Sequence, residues 1–167
     1  MKGLSTNCGV SGRLEKIFDS DYSVFIDYAH TPDGLEKSLT ALKRITENNL
    51  ICVFGCGGNR DQTKRRQMGK ISAKYANLTI ITSDNPRYEE PMEIISEIEK
   101  GVLDGKGKFI SIEDREDAIS YALNEAKKGD VVLIAGKGAE RYQEVLGIKK
   151  LYNDKDTVEQ ILRGKQN

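Results

Sequence analysis

Residues 130–136 read DVVLIAG, five consecutive apolar side chains closed by a glycine. Unbroken apolarity over so short a run marks a strand buried on both faces, the habit of a parallel sheet covered by helices. Residues 49–55 (NLICVFG) and 78–83 (LTIITS) have the same form. Residues 22–28 (YSVFIDY) add a strand rich in aromatic and β-branched side chains. A shorter strand falls at 108–112, and 13–18 reads as a strand at the sheet edge.

Helical signals fill the gaps. Thr31 is an N-cap, Pro32 takes the first helical position and Asp33 places an acid in the first turn. Leu35, Leu39, Leu42 and Ile45 then recur at helical spacing and form one apolar stripe. Residues 64–76 put Met68, Ile71 and Tyr75 on one face, and Pro91 opens a helix carrying Ile94, Ile95, Ile98 and Val102. Two more helices are expected over 114–127 and 156–163. The alternation predicts a single α/β domain, a Rossmann-like, mostly parallel sheet flanked by helices on both faces.

Composition narrows the function. The 167 residues carry 26 Lys and Arg against 26 Asp and Glu, so there is no basic excess for nucleic acid or an acidic membrane surface. The run at 131–135 is far short of the roughly 20 residues a membrane span needs. The opening MKGLSTNCGVSG has no apolar core for a signal peptide, which makes the cytoplasm the default expectation. One histidine and three cysteines lack the paired spacings of a zinc site, and no metal ligands are expected. Cys52, inside an apolar run, reads as a small buried hydrophobe.

In such sheets ligands bind beyond the carboxyl ends of the strands. The segments that follow the strands are DYAHTPD (27–33), GCGGNRD (55–61), SDNPR (83–87) and GKGAER (136–141), all dense in Gly, Asp, Asn and Arg. None contains a P-loop, and Arg60 stands where a dinucleotide fingerprint needs its third glycine. Arg60 and Arg87 can each grip a carboxylate with a planar fork of donors. Asp84 and Glu140 can accept from an ammonium group, and Asn85 supplies a neutral donor and acceptor. That mixture suits a zwitterion, such as an amino acid with more than one charged end. Surface loop charges and an Asp-Asn-Pro turn are the plainer explanation of the same residues.

In order, DYAHTPDGLEKSL, VFGCGGNRDQTKR, TSDNPRYEEP and AGKGAERYQ resemble the C-terminal domain of the Mur ligases, of the MurE type. The resemblance runs from about Gly12 to the C-terminus. It implies a linker over 1–11 and an amino-acid-binding domain over 12–167, with the central ATPase and N-terminal UDP-binding domains missing. It further implies an ATP-dependent ligase of bacterial cytoplasm that adds meso-diaminopimelate to UDP-MurNAc-L-Ala-D-Glu in peptidoglycan synthesis. ATP phosphorylates the dipeptide carboxylate and the incoming amine attacks the acyl phosphate, with ATP and Mg2+ held mainly by the missing central domain. Arg60, Asp84, Asn85, Arg87, Gly136 and Glu140 match positions that contact the amino acid, and Arg13, Asp27 and His30 match positions that approach ATP. No catalytic residue is expected in this domain, which alone should be inactive. The DNPR form points to diaminopimelate, whose second carboxylate Arg87 would pair. One departure stands out: Ala139 occupies the place of the family's usual His, which keeps lysine or another diamino acid open as the substrate. A stand-alone binding module is the alternative of a different class.

Overall fold

The computed structural model describes residues 12–165, so the expected linker over 1–11 lies outside the described residues. The elements in chain order are β1 (Glu15–Asp19), β2 (Ser23–Asp27), α1 (Pro32–Ile45), β3 (Leu50–Phe54), α2 (Thr63–Tyr75), β4 (Leu78–Ile81) and α3 (Pro91–Asp104). They continue with β5 (Phe109–Ser111), α4 (Arg115–Glu125), β6 (Val131–Ala135), β7 (Tyr142–Val145), β8 (Ile148–Leu151) and α5 (Asp154–Lys165).

The DVVLIAG run is the middle of the sheet. Strand order is β1-β2-β6-β3-β4-β5, with β7 and β8 forming a separate pair. Val132 of β6 sits opposite Val24 of β2 on one side and Ile51 of β3 on the other, both in parallel register. All five β6 side chains are buried, as are all five of β3. Within the six-stranded sheet β1 alone runs antiparallel, and it lies at the edge, the place expected for the 13–18 segment.

Side-chain alternation divides the core into two layers. Leu50, Cys52 and Phe54 of β3 face Leu35, Leu39 and Leu42 of α1, Met68 of α2, and Ile94, Ile95, Ile98 and Val102 of α3. Ile51 and Val53 face the other way, onto Ala118, Ile119, Ala122 and Leu123 of α4 and Val158 of α5. Thus three helices cover one face and two the other, because the chain returns through α4 to insert β6 between strands already laid down.

Local chemistry sets the helix ends. The Thr31 hydroxyl accepts from Gly34 N at 3.1 Å, with Pro32 opening α1, and Lys43 and Arg44 complement the dipole at its far end. Asp114 caps α4 through Asp117 N at 3.0 Å. Helix α5 begins at Asp154, two residues before the expected 156, because the Asn153 side chain accepts from Asp156 N at 3.0 Å and caps it there. The β7–β8 hairpin was not expected. Its turn uses Leu146 and Gly147, both in the left-handed region at φ 52° and 79°, without the Asn-Gly pair that flags such turns.

Candidate functional site

Because β2, β3, β4 and β6 are parallel, the four glycine-, aspartate- and arginine-rich segments all leave the same end of the sheet. They enclose a crevice of about 400 Å³ lined by Arg60, Asp84, Asn85, Arg87, Gly136 and Glu140, together with Tyr28, His30 and Lys64. The structure therefore brings together all six residues matched to amino-acid contacts, and both arginines line one cavity. Arg60 is exposed at the mouth, and among the described residues its Nη1 donates only to the neighbouring Asn59 carbonyl at 3.0 Å.

Arg87 is held more firmly. Its backbone lies at φ 55°, an uncommon region for a residue with a side chain. Two hydrogen bonds to the hairpin keep it there: its N–H donates to the Glu144 carbonyl at 3.1 Å, and its carbonyl accepts from Leu146 N at 2.8 Å. Nη1 donates to the Gly58 carbonyl at 3.0 Å, and Nε lies 3.3 Å from the Glu144 carboxylate. Nη2 has no hydrogen-bond partner among the described residues.

One residue at the floor has no counterpart in the expected charge pattern. Lys137 is wholly buried, and its ammonium lies 3.1 Å from a carboxylate oxygen of both Asp84 and Glu140. It also donates to Asn85 Oδ1 at 2.8 Å and the Tyr142 carbonyl at 2.9 Å. The two acids expected to receive a ligand ammonium are therefore already shared with an internal one. Asn85 is likewise mostly engaged: Oδ1 also accepts from Glu144 N at 2.9 Å, and Nδ2 donates to Glu140 Oε1 at 3.0 Å. Gly136, at φ 116°, closes the floor, where a β-carbon would come within 2.9 Å of Asp84 Oδ2.

Arg13, Asp27 and His30 come together around a neighbouring cavity of about 370 Å³, with Thr31, Lys37 and Ser38. Asp27 is buried and acts as a strand-end cap: Oδ1 accepts from Leu14 N at 2.9 Å, and Oδ2 accepts from the Ser38 hydroxyl. His30 is exposed, with Nδ1 2.9 Å from the Tyr28 carbonyl, and belongs to both cavities. Among the described residues no group of three or more His, Cys, Asp or Glu is arranged to hold a metal ion.

Two buried arginines fix the loops from behind. Arg115 forms a two-pronged pair with Asp154 at 2.8 Å and donates to the Ser83 and Ala135 carbonyls at 3.0 and 3.1 Å. Burial works against the guanidinium charge, but Asp154 outweighs it and holds Arg115 above its ordinary value. Arg65 donates to the Gly57 carbonyl at 3.0 Å and pairs with Glu89 at 2.8 Å, and this hydrogen bond keeps the Glu89 carboxyl below its ordinary value. Cys56 lies at the crevice wall but is buried. That burial, then the charge of Asp84, pushes its thiol up to about 12, far from a reactive thiolate.

Residues 12–138 match the family model described as Mur ligase, glutamate ligase domain. The chain belongs to the Mur ligase family. It is 48% identical over 164 residues, 98% of its length, to the UDP-N-acetylmuramoyl-L-alanyl-D-glutamate--2,6-diaminopimelate ligase of Alkaliphilus metalliredigens. It is 51% identical over 91% of its length to the ligase of the same name from Gloeobacter violaceus. It spans about a third of the length of these curated relatives, 33% and 31% respectively. A solved 2,6-diaminopimelate ligase superposes with a TM-score of 0.89 at 40% identity, covering 95% of this chain and 33% of that one. A murein peptide ligase from Psychrobacter arcticus matches with a TM-score of 0.66 at 19% identity, covering 93% of this chain and 30% of its own, a likeness of fold alone.

Proposed function

We propose that this chain is the amino-acid-binding domain of an ATP-dependent ligase that adds meso-diaminopimelate to UDP-MurNAc-L-Ala-D-Glu in bacterial cytoplasm. The observation that carries the reading is the single crevice in which Arg87, Asp84 and Glu140 stand together at the strand ends. High identity to curated 2,6-diaminopimelate ligases along nearly the whole chain supports it.

The chemistry asked of these residues is binding and orientation. A diamino dicarboxylate has two amino-acid ends. One end fits the floor, its carboxylate toward the Nη2 edge of Arg87 and its ammonium toward the unshared oxygens of Asp84 and Glu140. The other amine is then left toward the mouth, where it can attack an activated carboxylate. Lysine would leave the Nη2 edge of Arg87 without a carboxylate to accept from it, and a donor edge deprived of its partner discriminates between the two amino acids. Linkers aside, the domain would occupy residues 12–167.

ATP phosphates and Mg2+ are assigned to the rest of the ligase, since this chain has no P-loop. The cavity around Arg13, Asp27 and His30 is proposed to face the nucleoside of ATP when the domains close.

The experiment is the full-length enzyme assayed with UDP-MurNAc-dipeptide, ATP and either meso-diaminopimelate or lysine. Efficient coupling of diaminopimelate is expected, with lysine at least about a hundredfold poorer in kcat/KM. Preference for lysine would overturn the substrate, and the Ala139 position would become the first place to look for the cause.

A further inference from the structure

The ammonium of Lys137 has three donors and four oxygens within 3.1 Å: Asp84 Oδ1, Asn85 Oδ1, Glu140 Oε1 and the Tyr142 carbonyl. These come from the loop after β4 and from the stretch at 140–142 that leads into the hairpin, so one buried cation ties two segments into the crevice floor. Each carboxylate gives Lys137 one oxygen. Asp84 Oδ2 and Glu140 Oε2 have no hydrogen-bond partner among the described residues and remain for a ligand.

Charge follows from the same arrangement. Two carboxylates against one internal ammonium leave the floor with one net negative charge, while Arg87 is balanced by Glu144 at 3.3 Å. One negative charge beside Arg87 suits an ammonium and a carboxylate presented together. Two would repel that carboxylate and favour an ammonium alone.

We propose that Lys137 is a positioning residue that sets amino-acid specificity. Its buried ammonium fixes Asp84, Asn85 and Glu140 and caps the floor's charge, so that the amino-acid end of a diamino dicarboxylate is accepted over the bare ammonium of a diamino monocarboxylate. This role rests on the amino-acid-binding function proposed above.

The test uses full-length ligase carrying Lys137→Met, with kcat/KM measured for meso-diaminopimelate and for lysine. The KM for ATP and the thermal midpoint serve as controls. The substitution keeps the stem and removes the charge. The diaminopimelate-to-lysine ratio should contract by about tenfold or more, the effect of one misplaced charge-assisted contact. Adding Glu140→Gln to Lys137→Met restores one net negative charge and should return part of the ratio. If Lys137→Met does not fold, Glu140→Gln alone carries the test with opposite sign: both substrates weaken, but the ratio rises. A ratio unchanged within about twofold in the folded variants would overturn the role and leave Lys137 a purely structural cation. A wild-type enzyme that couples neither amino acid would overturn the binding function itself, and this role with it.

Discussion

Arg87 concentrates what a single residue contributes to this crevice. It occupies a left-handed backbone conformation, and two backbone hydrogen bonds to the hairpin hold it there. Such outliers persist only where the surroundings over-determine them, and they cluster at ligand-binding sites. Arg87→Ala should lower kcat/KM for diaminopimelate by about a hundredfold or more, while unfolding stability in urea falls by only about 1 kcal/mol. A stability loss of several kcal/mol with little change in selectivity would make Arg87 a structural residue. The types of the lining residues could be read from the strand-end segments, since Gly, Asp, Asn and Arg are denser there than connections need. Lys137 could not. It sat in view within the Gly-Lys-Gly string, but a lysine reads as solvent-exposed until a fold surrounds it with oxygens. Arg65 and Arg115 were hidden for the same reason: burial of a charge is a property of the assembled molecule.

Elements that bury apolar faces announced themselves through their period, and those that do not were silent. β3 and β6 are unbroken apolar runs, and α1 and α3 repeat at helical spacing. The β7–β8 hairpin has no buried face, with Val145, Leu146, Ile148 and Leu151 all exposed, so no hydrophobic alternation marked it. Yet the hairpin supports the backbone of Arg87 and supplies Glu144. Close approach between helices is another element-scale property. A β-carbon on Gly101 of α3 would overlap the Arg66 carbonyl of α2, and one on Gly69 of α2 the Ile98 carbonyl of α3. Gly101→Ala should therefore force the two helices apart and cost about 1–3 kcal/mol in denaturant unfolding. Gly164→Ala, in α5 with nothing within 4 Å of the added carbon, should instead be neutral or stabilise by up to about 1 kcal/mol. If both substitutions moved stability equally, helix propensity rather than the α2–α3 contact would be the governing effect.

At the scale of the whole molecule, parallel strands turn segments far apart in sequence into one wall. The residues from 27, 55, 84 and 136 onward meet because their strands point the same way, and α4 and α5 lock two of those exits through Arg115 and Asp154. The overall balance of 26 acids and 26 bases does not hold locally, since the floor sets Lys137 against both Asp84 and Glu140 while Arg87 faces Glu144. The role proposed for this wall is to bind and orient an amino acid, and phosphoryl transfer is not asked of it. The chain has no P-loop, and no potential metal cluster occurs among the described residues. Phosphoryl transfer depends on positioned cations and backbone donors around the phosphates, so a domain lacking them should contribute nothing to that step alone. The 167-residue chain, supplied with ATP, Mg2+, UDP-MurNAc-dipeptide and diaminopimelate, should release no phosphate above a protein-free control. It should nevertheless unfold in one cooperative transition, because both apolar layers share the same six-stranded sheet. Phosphate release by a folded chain of this length would mean that a phosphate-handling site lies within it, and the assignment of that chemistry to the rest of the ligase would fall.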